Sequence, residues 1–183
     1  MSNSKIATRY ASALMALTAE NKKPVTIAKE LLTVKTAIEN SRELQLVLAS
    51  PVISKEKKQS IIAEIFKKKI GIATRTYLAS IIEKGREMVL AEILKRYFEL
   101  RDDELGIVRV HVTTSIDFSL KQEKDLQKQL EVMTKKKVDA TFSIDRLLKG
   151  GFVARVGDTV LDGSVKRQLE ILKTKLKDGS FSN

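Results

Sequence analysis

Leu148-Lys-Gly-Gly-Phe-Val-Ala-Arg-Val-Gly-Asp-Thr-Val-Leu-Asp-Gly-Ser-Val-Lys-Arg-Gln-Leu-Glu-Ile-Leu172 is the stretch that decides the fold of this chain. Gly150-Gly151 frees the backbone to turn where a Cβ would clash. A short apolar strand, Phe152 to Val156, follows. Gly157-Asp158 has the form of a two-residue hairpin turn, with glycine at the first central position as a type II′ turn requires. Thr159-Val160-Leu161 is the returning arm. Asp162-Gly163 makes a second turn, and Ser164 stands where a helix is capped. Beyond it Val165, Leu169, Leu172 and Leu176 fall on one face at helical spacing. Burial of these four side chains is expected to hold the C-terminal part of the chain together.

Glycines before a helix can also cradle phosphate. A P-loop needs Gly-x-x-x-x-Gly-Lys and then Ser or Thr, and no lysine follows Gly157 or Gly163. The dinucleotide fingerprint Gly-x-Gly-x-x-Gly does not match these spacings either. The glycines are therefore read as turn residues. Asp158 and Asp162 stand beside glycine, where aspartate bonds the local backbone, and that reading is preferred to a catalytic pair.

Working outward, residues 1–105 carry helical periodicity and no strand pattern. The first helix, residues 4 to 19, has Ile6, Tyr10, Leu14 and Leu17 on one side, with Ala7, Ala11 and Ala13 keeping it slim. Pro24 opens a second helix with Ile27, Leu31, Val34 and Ile38 inward. Asn40 and Glu43 have capping-box spacing for a short third helix with Leu44, Val47 and Leu48. Ser50-Pro51 stops it. Ser54 caps a fourth helix expected to bury Ile61, Ile62, Ile65 and Phe66. A fifth carries Tyr77, Leu78, Ile81 and Ile82 and ends at Gly85. A sixth carries Leu90, Ile93, Leu94, Tyr97 and Leu100. Asp102-Asp103-Glu104 reads as a solvated junction. Short loops between amphipathic helices imply a compact bundle.

From Gly106 the period changes to two. Val108, Val110 and Val112 alternate with Arg109, His111 and Thr113. Ser119 and Gln122 have capping-box spacing for a helix expected to bury Leu126, Leu130 and Met133. Val138, Ala140, Phe142 and Ile144 alternate as a second strand. Strand, helix, strand implies a crossover between parallel strands. The expected architecture is mostly helical α+β: a six-helix bundle over 1–105, then a small α/β domain over 106–183.

Composition narrows the function. The 183 residues include no cysteine, so disulfides and thiolate chemistry are excluded. The first ten residues are polar and carry Lys5 and Arg9, so a signal peptide is not expected. No run of ~20 apolar residues marks a membrane span, and a soluble protein is expected. The net charge of +11 is spread along the chain, +6 over 1–105 and +5 over 106–183. Such a field attracts acidic surfaces generally. Nucleic-acid binding would want aromatics among the basic residues. Only 5% of the chain is aromatic, and Tyr10, Tyr77 and Tyr97 fall on apolar helix faces. His111 is the one histidine, on a polar strand face without converging ligands, so no metal is expected. No serine or lysine has an activating base beside it, so no catalytic residue and no cofactor is expected.

Gly150-Gly151, Gly157-Asp158 and Asp162-Gly163-Ser164, followed by the leucine-bearing helix, resemble the C-terminal signature of the delta subunits of F-type ATP synthases. The mitochondrial counterpart is the oligomycin-sensitivity-conferring protein. The resemblance extends to Ala7-Thr8-Arg9-Tyr10-Ala11-Ser12-Ala13-Leu14, to Ser50-Pro51-Val52-Ile53-Ser54 with Lys57, and to Tyr77-Leu78 with Gly85-Arg86. It implies a non-catalytic stator subunit of a proton-translocating complex, one copy in each. It implies that the helical domain binds N-terminal segments of alpha subunits and that the second domain holds the b subunits of the peripheral stalk. Nucleic acid is not a partner on this reading, and membrane association is peripheral, on the cytoplasmic face of the bacterial inner membrane. For the alpha-subunit site the first and fifth helices are the candidates, through Tyr10, Ala13, Leu14 and Leu17, and Thr76, Ala79, Ser80 and Glu83. The apolar members serve equally as intramolecular core, since one stripe suits both uses. The alternative is a basic RNA- or ribosome-associated protein.

Overall fold

The computed structural model describes residues 3–21, 23–157 and 159–177. The chain is a mostly helical α+β protein that divides into two compact units, Met1–Arg101 and Asp102–Asn183.

The first unit is built on helices α1 (Asn3–Glu20), α2 (Pro24–Asn40), α3 (Arg42–Ala49), α4 (Lys55–Phe66), α5 (Ile72–Glu83) and most of α6 (Leu90–Glu104), with a 3-10 turn at Glu87–Val89. One apolar core unites them. Pro24 opens α2, whose stripe Ile27, Leu31, Val34 and Ile38 is buried throughout. Tyr77, Leu78, Ile81 and Ile82 of α5 are buried too. The α5 end is closed at Gly85, where the Gly85 and Arg86 amides donate to Ile82 and Ile81 carbonyls. At ~1.5–3 kcal/mol for each fully buried aliphatic side chain, α2 and α5 supply a large share of the packing energy of this unit.

Three expectations are corrected here. The buried line of α1 is Ala7, Ala11, Leu14 and Thr18, while Leu17 is 54% exposed and Ile6 and Tyr10 are half-buried. Two alanines bring the α1 axis close to its neighbours, and the large residues are displaced to the flanks of that contact. The α3 cap is Ser41, not Asn40: Asn40 is used as the last residue of α2, and extended Ser41 accepts from the Leu44 amide at 3.2 Å. Ser54 does cap α4, but Ile65 is 42% exposed, with Ile62 and Phe66 turned in. A lysine not singled out from sequence is also buried. Lys58 is buried in α4, donating to the Leu48 carbonyl at 3.0 Å and to Glu87 Oε1 at 2.8 Å. Burial alone would raise the Glu87 carboxyl, but the Lys58 contact outweighs it and holds the group below its ordinary range.

The second unit carries a four-stranded sheet of order β2-β1-β3-β4, from β1 (Ile107–Thr114), β2 (Lys137–Ile144), β3 (Phe152–Val156) and β4 (Thr159–Asp162). β1 and β2 are parallel, joined through α7 (Leu120–Thr134), and Val108 faces Val138 in register. β1–β3 and β3–β4 are antiparallel. Ser119 and Gln122 form the capping box at the start of α7. The small core is Val110, Val112, Leu126, Leu130, Val138 and Ala154. The hairpin between β3 and β4 pairs Val156 with Thr159, and Gly157 has φ +56°. Asp158 lies outside the described residues.

In this unit Met133 is 63% exposed and Ile144 54% exposed, against expectation. Leu126 and Leu130 anchor α7, and Met133, one turn on, extends past that contact. Asp102 is buried rather than solvated, because Arg109 closes on it with Nε–Oδ2 2.5 Å and Nη2–Oδ1 3.4 Å. That bond to Asp102 raises the Arg109 guanidinium pKa further above its ordinary value. The largest correction is α8 (Val165–Lys177). Its stripe was expected to bury, yet Val165, Leu169, Leu172 and Leu176 are 40%, 59%, 48% and 60% exposed. Helical periodicity records that a face wants cover; it does not record whose.

Candidate docking sites

Two apolar surfaces stand open. The first lies between α1 and α5, a groove of ≈ 350 Å³. Leu14, Leu17 and Thr18 form its α1 wall, and Ala73, Thr76, Tyr77 and Ser80 its α5 wall. Asn21, Ile27 and Thr74 complete it. Of the residues singled out from sequence, the groove gathers Leu14, Leu17, Thr76 and Ser80. Tyr10 contributes its carbonyl, which accepts from the Tyr77 hydroxyl at 3.1 Å and ties the two helices together. Ala13 is exposed but does not line the groove. Ala79 accepts from Gln59 Nε2 at 3.3 Å through its carbonyl, and Glu83 from Lys55 Nζ at 2.7 Å, so both backbones hold α4 to α5 instead. Leu14 is 2% exposed and belongs chiefly to the core.

Most hydroxyls of the groove are bonded internally, and that of exposed Thr76 stays open at the rim. Ser80 Oγ donates to the Tyr77 carbonyl at 2.7 Å, and Thr18 Oγ1 to the Met15 carbonyl at 2.8 Å. Burial pushes the Tyr77 phenol up, with Tyr10 adding to the rise, so it stays a protonated donor. What remains for a visitor is mostly hydrocarbon. That suits the apolar face of a helix better than a polar small molecule. Sequence periodicity missed Thr18 and Ala73. Thr18 is found by continuing the alanine line, i+4 from Leu14; Ala73 carries no such signal.

The second surface is the bare face of α8. Leu147, Leu148, Val165 and Leu169 line a concavity of ≈ 570 Å³ with Lys149, Lys166 and Lys173 at its rim. The glycine signature positions it. Asp162 Oδ1 accepts from the Ser164 amide at 2.9 Å, and buried Ser164 accepts from the Arg167 amide at 3.2 Å as the helix cap. Those Ser164 bonds hold the Asp162 carboxyl below the ordinary range. The Gly150 carbonyl accepts from the Val165 amide at 3.0 Å, and the Phe152 carbonyl from the Gly163 amide at 2.9 Å. Gly151 sits at φ +79°, and a Cβ there would lie 2.3 Å from the Gly163 carbonyl oxygen. The signature is thus a joint that aims α8.

His111 is exposed, with Nε2 3.0 Å from Ser143 Oγ. Among the described residues no cluster of metal-ligating side chains occurs, and no helix is long and apolar enough to cross a membrane.

A largely apolar groove and an uncovered amphipathic helix are the features of a protein–protein adaptor. The chain belongs to the ATP synthase delta (OSCP) subunit family, whose model matches residues 6–176. It is 35% identical to the ATP synthase subunit delta of Chlorobaculum parvum over 176 residues, 96% of this chain and 97% of that one. It is 36% identical to that of Desulforamulus reducens over 171 residues, 93% and 94% of the two chains. The fold matches a chain in the cryo-EM structure of the Toxoplasma gondii mitochondrial ATP synthase hexamer, with TM-score 0.68, 22% identity, and 93% and 96% coverage. The protein is therefore a structural coupling subunit of the ATP synthase stator, working with other subunits of that complex and performing no catalysis itself. Nothing in these relatives supports the RNA- or ribosome-associated alternative.

Proposed function

We propose that this chain joins the catalytic head of a proton-translocating ATP synthase to its peripheral stalk and so keeps the head from turning with the rotor. Residues 1–105 act as a six-helix bundle that receives N-terminal segments of the alpha subunits. Residues 106–183 hold the b subunits through α8. One copy serves each complex, peripherally, on the cytoplasmic face of the bacterial inner membrane.

The observation that carries this reading is the α1–α5 groove, largely apolar and with most of its hydroxyls bonded internally. An amphipathic helix laid there buries a few anchors and strands few polar groups. Leu17 and Thr76 are exposed on its two walls and are the contact residues proposed, with Tyr10 and Tyr77 as the brace beneath. The leucines of α8 offer a second, separate contact. A stator joint must be long-lived, and nanomolar affinity corresponds to about −12 kcal/mol.

Calorimetric titration of the full chain with a synthetic peptide of the alpha-subunit N-terminus tests the first contact. Pull-down with a soluble b-subunit fragment tests the second. Leu169→Asp with Leu172→Asp is expected to abolish only the pull-down. Loss of both contacts in a folded variant, or of neither, contradicts the division of labour.

A further inference from the structure

We propose that the open edge of β2 is a strand-addition site for an extended, acidic segment of a partner protein. β2 is one margin of the sheet, eight residues long, and contains no proline. Its odd-numbered residues bond inward: the Lys137 amide donates to the Gly106 carbonyl at 2.9 Å, and the Asp145 amide, just beyond, to Thr114 at 2.8 Å. Successive backbone groups alternate in direction. The amides and carbonyls of Val138, Ala140, Phe142 and Ile144 therefore point away from β1. The first of these pairs is sealed. Gln127 Nε2 donates to the Val138 carbonyl at 2.7 Å, and Glu131 accepts from the Val138 amide at 3.2 Å. Among the described residues nothing comparable meets Ala140, Phe142 or Ile144. Protected edges are normally blunted by lysines, proline or bulges. Here α7 closes one position and leaves three donors and three acceptors in a row.

Charge and shape specify the visitor. Lys124 precedes Gln127 by one helical turn, and Lys128 follows it, so two exposed lysines share the flank of α7 beside the edge. Glu131 on that flank is engaged with Val138, and Asp139 on the other face is opposite Arg109 in register. Glu123, one turn before Gln127, and Asp139, whose facing Arg109 is bonded to Asp102, offset part of the lysine charge, and the excess that draws an acidic strand is the +5 carried over 106–183. Toward the other end Ile144 is 54% exposed and Phe142 is half-buried, its ring 6.3 Å from that of Phe118. A strand with carboxylates near the lysines and an apolar residue near Phe142 and Ile144 satisfies both ends. This surface is distinct from α8 and from the α1–α5 groove.

Residue-resolved amide exchange of the free chain and of the chain within intact ATP synthase tests this. In the free chain, Ala140, Phe142 and Ile144 should exchange fast and Thr141 and Ser143 slowly. In the complex the first three should slow at least tenfold; unchanged rates overturn the proposal, even where α8 or the groove gains protection. Ala140→Pro removes one outward donor and leaves the β1 ladder intact. It is expected to cancel the added protection at Phe142 and Ile144 while Thr141 stays slow. Should that variant lose Thr141 protection, Lys124→Glu with Lys128→Glu leaves the backbone untouched. Its expected result is lost protection at the edge, and retained protection overturns an acidic partner.

Discussion

Leu17→Asp separates docking from folding. Leu17 is 54% exposed on the rim of the α1–α5 groove, while Leu14 beneath it is 2% exposed. Fully burying a leucine is worth ~1.5–3 kcal/mol, so covering the exposed half of Leu17 contributes ~1–1.5 kcal/mol to docking. An aspartate there forfeits that and must also be desolvated, which adds ~1–2 kcal/mol. The loss of ~2–3.5 kcal/mol corresponds to roughly 30- to 350-fold in affinity. The folded chain should suffer little. Leu17 lies in the last turn of α1, where a carboxylate opposes the helix dipole at a cost of ~0.3–1 kcal/mol. Leu14→Ala should behave oppositely, costing ~2–5 kcal/mol of stability as a core truncation. The assay is calorimetry against the alpha-subunit N-terminal peptide, paired with a thermal melt of each variant. If Leu17→Asp binds within threefold of wild type while melting normally, the groove is not the docking site.

Other expectations follow from single contacts. Lys58→Met leaves Glu87 buried and uncompensated, with Oε2 already lacking a partner, and should cost ~3–5 kcal/mol in a denaturant melt. Adding Glu87→Met should restore most of it. Glu87 has a folded pKa below its unfolded one, so the stability that it contributes is present above the carboxylate range. That stability should fall as pH drops through ~4 and below, and the part of this acid dependence due to Glu87 should vanish in the double variant. Gly151→Ala should unfold the second unit, since its Cβ meets a carbonyl and φ is positive; loss of slow amide exchange in β1 reads it out. Gly157→Val meets nothing within 4 Å and carries only the strain of φ +56°, so ~1–2 kcal/mol is expected in the same melt. Truncation after Ser164 should abolish stalk binding yet leave the β1–α7–β2 core folded, because the α8 leucines are exposed.

What was legible in the sequence was local. The α2 stripe, the Ser119–Gln122 capping box and the Gly157 hairpin each depend on residues within a few positions, where propensity and period act directly. Lys58 and Glu87 are 29 residues apart, and no periodicity announces that a lysine on α4 turns inward. Asp102 looked solvated because its acidic neighbours suggested water; Arg109, a strand away, decided otherwise. On α1 the large residues marked the wrong line, since close packing through alanine leaves no trace on a hydrophobicity scale. The groove was partly visible for the same reason. Leu14, Leu17, Thr76 and Ser80 line it, while Ala13, Ala79 and Glu83 lie off it. The α8 stripe was correctly found and wrongly assigned to the core, because the period marks an apolar face without saying what covers it.

The stator role is tested most directly by ATP-driven proton pumping in membrane vesicles whose ATP synthase has been stripped of this chain. ATP hydrolysis should continue while pumping is lost, and adding back the wild-type chain should restore pumping; addition of a chain truncated after Ser164 should not. Pumping that persists at full rate without the chain would contradict its place in the stator.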